Sequence, residues 1–237
     1  GRVDLAVGWG VHREHLDAPA QLVAYRSAGG AADTWIEEVV VSPTTSRAQF
    51  SSIQPARLAA EGPLGLLYAH YASKYEVRGA FAVPRTDGGW SDRTLERIRM
   101  GSHWVAFEDA DQRDATLIIG RPYGDEIKSH GDVFVLAEDG TRTRLDSERG
   151  VRSLAVLRLG PPADPIERVC YGDGWHWRYK AEARGHLTCA QRDADGGFTA
   201  SRVAETDGYS VAHLDSGDLD GDGENELLAL GPNGVYR

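Results

Sequence analysis

The stretch "GDLDGDGENELLALG" (217–231) decides how the rest of the chain is read. Asp218, Asp220 and Asp222 alternate, Gly223 follows, and Glu226 stands at the ninth position counted from Asp218. Carboxylates at positions 1, 3 and 5 of a tight loop can converge on one cation. Glycines at 221 and 223 let the backbone curl through positive φ. Calcium takes about six to eight oxygen ligands at roughly 2.3–2.6 Å. In that reading Glu224 adds its backbone carbonyl and Glu226 closes the shell, so the expected cofactor is a structural Ca2+. The bland alternative is an acidic, solvated turn that holds no ion. An EF-hand fits poorly, because it needs a glutamate at position 12 and flanking helices, and position 12 here is Ala229.

Beyond the aspartates the chain reads as a short apolar strand, a Gly-Pro-Asn-Gly turn and the start of another strand. The same cadence occurs in "GRVDLAVGWG" at the start, "GPLGLLYAH" (62–70), "DATLIIGRP" (114–122) and "IERVCYGDG" (166–174). Aligning the small residue that ends each apolar run pairs Gly8, Ala69, Gly120, Gly172 and Gly231. Subtracting residue numbers gives separations of 61, 51, 52 and 59, a drifting period that marks a repeat architecture. The repeats fall near 1–50, 51–100, 101–149, 150–206 and 207–237, the first and last incomplete. Each full repeat holds about four strand-like runs, too short for helices and bounded by Gly, Pro, Asp and Asn. "SDRTLERIRM" (91–100) fits both a helix and a fourth strand. The expected fold is all-β, with four-stranded antiparallel blades repeated around an axis: a single β-propeller domain over 1–237. About 18 strands make five blades the simplest total. Part of a larger, seven-bladed propeller is the alternative.

The aspartate stretch closely resembles the FG-GAP, or VCBS-type, propeller repeat of integrin α-chains and bacterial surface proteins. That resemblance is strong over 215–231 and weak elsewhere. It implies calcium bound between the first and second strands of a blade. The other repeats depart from the pattern: "FEDADQRDATLIIG" keeps Asp109 and Asp111 but is two residues shorter and carries Arg113 in the loop. At the N-terminus Gly1 aligns with Gly223 and Asp4 with Glu226, so the expectation is a chain that, as given, starts inside such a loop.

Composition narrows the function. Lys plus Arg is 26 against 36 for Asp plus Glu, a formal net charge of -10. No basic surplus exists to displace counterions from a nucleic acid, and no apolar run is long enough for membrane insertion as a helix. The two cysteines, Cys170 and Cys189, fall on adjacent strand runs of one repeat, within reach of a disulfide. Such a bridge implies an oxidising, extracytoplasmic setting: secreted, periplasmic or cell surface.

In a propeller the loops joining strands two and three emerge opposite the metal loops. Here they carry Trp9, His12, His15, His70, Tyr71, Tyr75, Arg121, Tyr123, His130, Trp175, His176 and Trp177. Aromatic faces with hydrogen-bonding tips suit docking of a protein or carbohydrate ligand. Histidines from different blades, such as His12, His70 and His176, could instead converge on a transition metal. The bland reading makes them ordinary loop residues. No nucleophile motif stands out. The expectation is therefore a calcium-stabilised binding module. The alternative is an enzyme with its active site on that face, either lyase- or dehydratase-like or dependent on a His-coordinated transition metal.

Overall fold

A computed structural model describes residues 5–9, 20–27, 35–43, 49–73, 75–107, 114–123, 130–146, 150–164, 166–173, 185–205, 211–231 and 234–236. Among them are eighteen strands and no helix. The chain divides into two compact units, Gly1–Ala115 and Thr116–Arg237.

The first unit holds β1 (Leu5–Trp9), β2 (Gln21–Ser27) and β3 (Trp35–Val41), paired in that order. It continues with β4 (Phe50–Ala56), β5 (Gly65–Tyr71), β6 (Glu76–Pro84) and β7 (Trp90–Arg99), a four-stranded meander, and then β8 (His103–Phe107). The second unit holds β9 (Thr116–Tyr123), β10 (His130–Leu136) and β11 (Arg142–Asp146), which pair in sequence. Next come β12 (Val151–Leu159), β13 (Ile166–Asp173), β14 (His186–Arg192) and β15 (Phe198–Glu205), a four-stranded meander within this unit. The unit ends with β16 (His213–Gly217), β17 (Glu226–Gly231) and β18 (Gly234–Tyr236). Every pairing for which a register is resolved is antiparallel.

The segment that fits either a helix or a strand is the strand β7. It pairs with β6 from Glu76↔Arg99 to Pro84↔Trp90. Its polar side chains meet partners across the sheet: Arg78 Nη2 donates to Asp92 Oδ2 at 2.5 Å, and Arg97 Nη1 donates to Glu76 Oε1 at 2.9 Å. Cross-strand pairing overrides weak local propensity, and charge on an outer strand discourages further edge pairing.

Within each unit neighbouring sheets bury their faces against each other. In the first, Leu22, Ala24 and Val40 meet Leu66, Tyr68, Ala80 and Ala82, with Phe50, Ile53 and Trp90 at the margin. In the second, Leu157, Leu187 and the two cysteines pack with Val211, Leu214 and Ala229. These faces explain the small residue in the repeat. A Cβ at Gly8 would lie 2.5 Å from the Ile53 side chain, and one at Gly172 would lie 2.2 Å from Val211 Cβ. At these two positions the strand needs a residue with little or no side chain, because the next sheet closes over it.

Cys170 and Cys189 face each other in the β13–β14 register and form a disulfide across a Cα–Cα distance of 4.1 Å. The bond lies inside the core, with both residues buried.

Candidate metal centre

The acidic loop joins β16 to β17, which pair from His213↔Leu230 to Gly217↔Glu226. This register brings Glu226 back beside the start of the loop. Gly221 and Gly223 both adopt positive φ, 79° and 89°. Those two left-handed residues fold the aspartates inward, so that ligand oxygens of Asp218, Asp220 and Asp222 lie within 4.8 Å of one another.

The carboxylates are positioned by the loop's own amides. Asp218 accepts from Gly221 N at 2.7 Å and from Gly223 N at 3.0 Å. Asp220 accepts from Asp222 N at 3.3 Å, and Asp222 accepts from Glu224 N at 2.8 Å. Glu226 Oε2 accepts from Leu219 N at 2.9 Å, which ties position 9 across the loop. Glu224 is exposed, and its N–H is the group held in the turn. The segment 215–231 contains six carboxylates and neither Lys nor Arg. The donor set is thus wholly hard oxygen, the chemistry that suits calcium and magnesium rather than soft metals.

A second contact fixes the loop to its neighbour. Gly160, just past β12, and Asn225 exchange backbone hydrogen bonds, each 2.9 Å. In the first unit an isolated antiparallel bridge joins Ala59 and Asp114, with Ala115 N donating to the Leu58 carbonyl at 2.9 Å. Asp114 lies six residues before Gly120, and Asn225 lies six before Gly231, by subtraction. Both units thus carry a bridge at this point of the repeat, and the last repeat adds the full carboxylate set to it.

The ligand-binding candidates on the 2–3 side separate into several groups. His12, His15, Trp175, His176 and Trp177 lie outside the described residues. Trp9 closes β1 and His130 opens β10. Tyr71 and Tyr123 end β5 and β9 and are half-buried. Tyr75 lies under the Arg99 guanidinium, 5.3 Å from its ring centroid. His70 and Arg121 are not displayed on a surface. His70 is 3% exposed and packs against Phe50 and Tyr68, with ring centroids at 5.7 and 6.1 Å. Its Nδ1 lies 3.3 Å from the Tyr71 carbonyl, while Nε2 is buried without a hydrogen-bond partner. Burial holds the imidazole pKa below its ordinary value, favouring the neutral ring. Arg121 is turned into the sheet, where it makes a two-pronged ion pair with Asp132 at 2.5 and 2.6 Å.

Sequence reading missed the counterpart of that pair. At the ends of β13 and β14, Asp173 accepts from the His186 backbone N at 2.7 Å, and its other oxygen lies 3.1 Å from His186 Nδ1. A signal for it existed: Asp173 is three residues after Cys170, and His186 is three before Cys189. Once the cysteines are paired, an antiparallel register places these two residues opposite each other.

No protein-family model matches the chain, and no curated protein matches it in sequence.

Proposed function

We propose that the chain is a calcium-stabilised β-propeller binding module of the FG-GAP type, working outside the cytoplasm. In this reading the five successive meanders are blades, and the loops between second and third strands recognise a protein or carbohydrate ligand. The observation that carries it is the convergence of Asp218, Asp220 and Asp222 in a loop whose amides already orient each carboxylate. Those three residues would hold the ion, with Glu226 completing the acidic set beside them. Calcium would neutralise the crowded carboxylates and fix the β16–β17 turn. Because Asn225 is bonded to Gly160, that fixation would extend to the preceding sheet. The repeat cadence and the face-to-face packing of adjacent sheets support blades, and the buried disulfide supports an oxidising compartment.

The test is a glycan and protein array probed in calcium and again in EGTA. The proposal expects ligand capture that Tyr71→Ala or Tyr123→Ala weakens while calcium binding persists. Turnover of a small substrate, with no capture, would replace the binding module by an enzyme.

A further inference from the structure

The disulfide and the acidic loop meet in one part of the second unit. Cys170 and Cys189 are 0% and 2% exposed and share a buried cluster with Val211, Leu214 and Ala229. Leu214 and Ala229 are register partners on β16 and β17. Further along the same ladder stand Gly217 and Glu226, where the acidic loop leaves and rejoins the sheet. That sheet is small: β16, β17 and β18 have five, six and three residues. Strands this short hold their register through the face they bury. Here the face is buried against the disulfide cluster and tied down beside it. Ser153 Oγ donates to the Val211 carbonyl at 2.9 Å, and Val211 N donates to the carbonyl of Asp173, the end of β13, at 3.2 Å. Thiol–disulfide exchange needs a thiolate to reach one sulfur. With both cysteines buried, reduction requires the unit to open first, and its rate reports that opening.

We propose that calcium and the disulfide are reciprocally coupled: an ion in the acidic loop shields Cys170–Cys189 from reduction, and reduction weakens the hold on the ion. This rests on the calcium reading of the loop. Opening that frees the disulfide removes the surface on which β16 and β17 are aligned, and Glu226 then leaves the side of the three aspartates. Calcium binds the aligned form and draws the equilibrium away from the open one. The same coupling runs in reverse, as linkage requires. Without the covalent tie between β13 and β14 the aligned form is less populated, and apparent affinity falls by that fraction. The second unit thus senses calcium and oxidation together. Both of the chain's cysteines lie in it, as does the converging carboxylate trio found among the described residues.

The test uses the full chain and dithiothreitol. One thiolate of the reductant attacks a sulfur and releases the other as a thiolate. Its second thiol then displaces the mixed disulfide, so the protein gains two electrons and two protons and the reductant becomes a cyclic disulfide. The reduced fraction is followed by alkylation and mass, in EGTA and in calcium about 100-fold above its calorimetric Kd. Reduction should be roughly 100-fold slower in calcium, and Asp220→Ala should lose that protection. The double variant Cys170→Ala, Cys189→Ala should bind calcium about 5-fold or more weakly than the parent; if it does not fold, the reduction rates of the parent decide. Equal rates with and without calcium, in protein that calorimetry shows to bind the ion, overturn the coupling and leave the calcium site standing. Failure to bind calcium at all overturns the site, and the coupling with it.

Discussion

Asp220 stands at the centre of the acidic loop, with its carboxylate turned toward those of Asp218 and Asp222. Asp220→Ala removes one carboxylate from a set whose remaining members are still held by backbone amides. Calcium at about 100-fold above its Kd stabilises a binding protein by about 2.7 kcal/mol. For a chain of this size that raises Tm by roughly 5–10 °C. The parent should show that rise, and Asp220→Ala should show little of it. His70 governs a separate prediction. Its folded pKa lies below the ordinary histidine value because burial disfavours the charged ring. The unfolded chain then binds the proton more readily, so stability is full above about pH 6.5 and falls as pH drops toward the folded pKa. His70→Leu should flatten this part of the stability–pH curve, measured by urea unfolding between pH 7.5 and 5.5. An unchanged slope would show that another group titrates there. The acidic loop and the Asp173–His186 contact differ in how visible they are in sequence. The acidic loop is legible because its carboxylates lie within nine consecutive positions. The Asp173–His186 contact is not, because thirteen residues separate its members and only the strand register joins them.

Single strands show why the repeat has its cadence. The small residue that ends the apolar run is a packing requirement at Gly8, set by Ile53, and at Gly172, set by Val211. Gly79 presents the same constraint on β6, where a Cβ would sit 2.3 Å from the Trp104 ring. Gly79→Ala should cost about 1–3 kcal/mol through overpacking, seen as a lower urea midpoint with an unchanged m-value. An unaltered midpoint would show that Trp104 moves aside freely. The disulfide acts at the same scale. It closes a loop with a sequence separation of 19, for which chain entropy gives a contribution of about 3 kcal/mol. Reduction should add two daltons in a mass spectrum (about 1 Da per thiol hydrogen) and lower stability by that order. The cysteine pairing was readable because both residues lie in neighbouring apolar runs. The strand β7 was not. "SDRTLERIRM" has charges spaced for a helix as well as for an outer strand, and only cross-strand partners such as Glu76 and Arg78 decide.

At the scale of the whole chain, each compact unit builds its core between successive antiparallel meanders. The all-β class was legible because short apolar runs and turn residues recur along the chain at a drifting interval of about 50–60 residues. The ends of the candidate docking side were much less so. Composition marks His70 and Arg121 as surface chemistry, yet one is packed between aromatic rings and the other is locked to Asp132. Burial is set by which face of a strand a neighbouring sheet covers, and residue type alone does not encode that. In the proposed reading the chain is a propeller module whose last blade is fixed by calcium. A crystal structure grown with calcium tests it most directly. One ion bonded by Asp218, Asp220 and Asp222 at about 2.3–2.6 Å is expected, with the five meanders arranged around a common axis. An acidic loop that keeps only its amide contacts in saturating calcium, or meanders that share no axis, would contradict it.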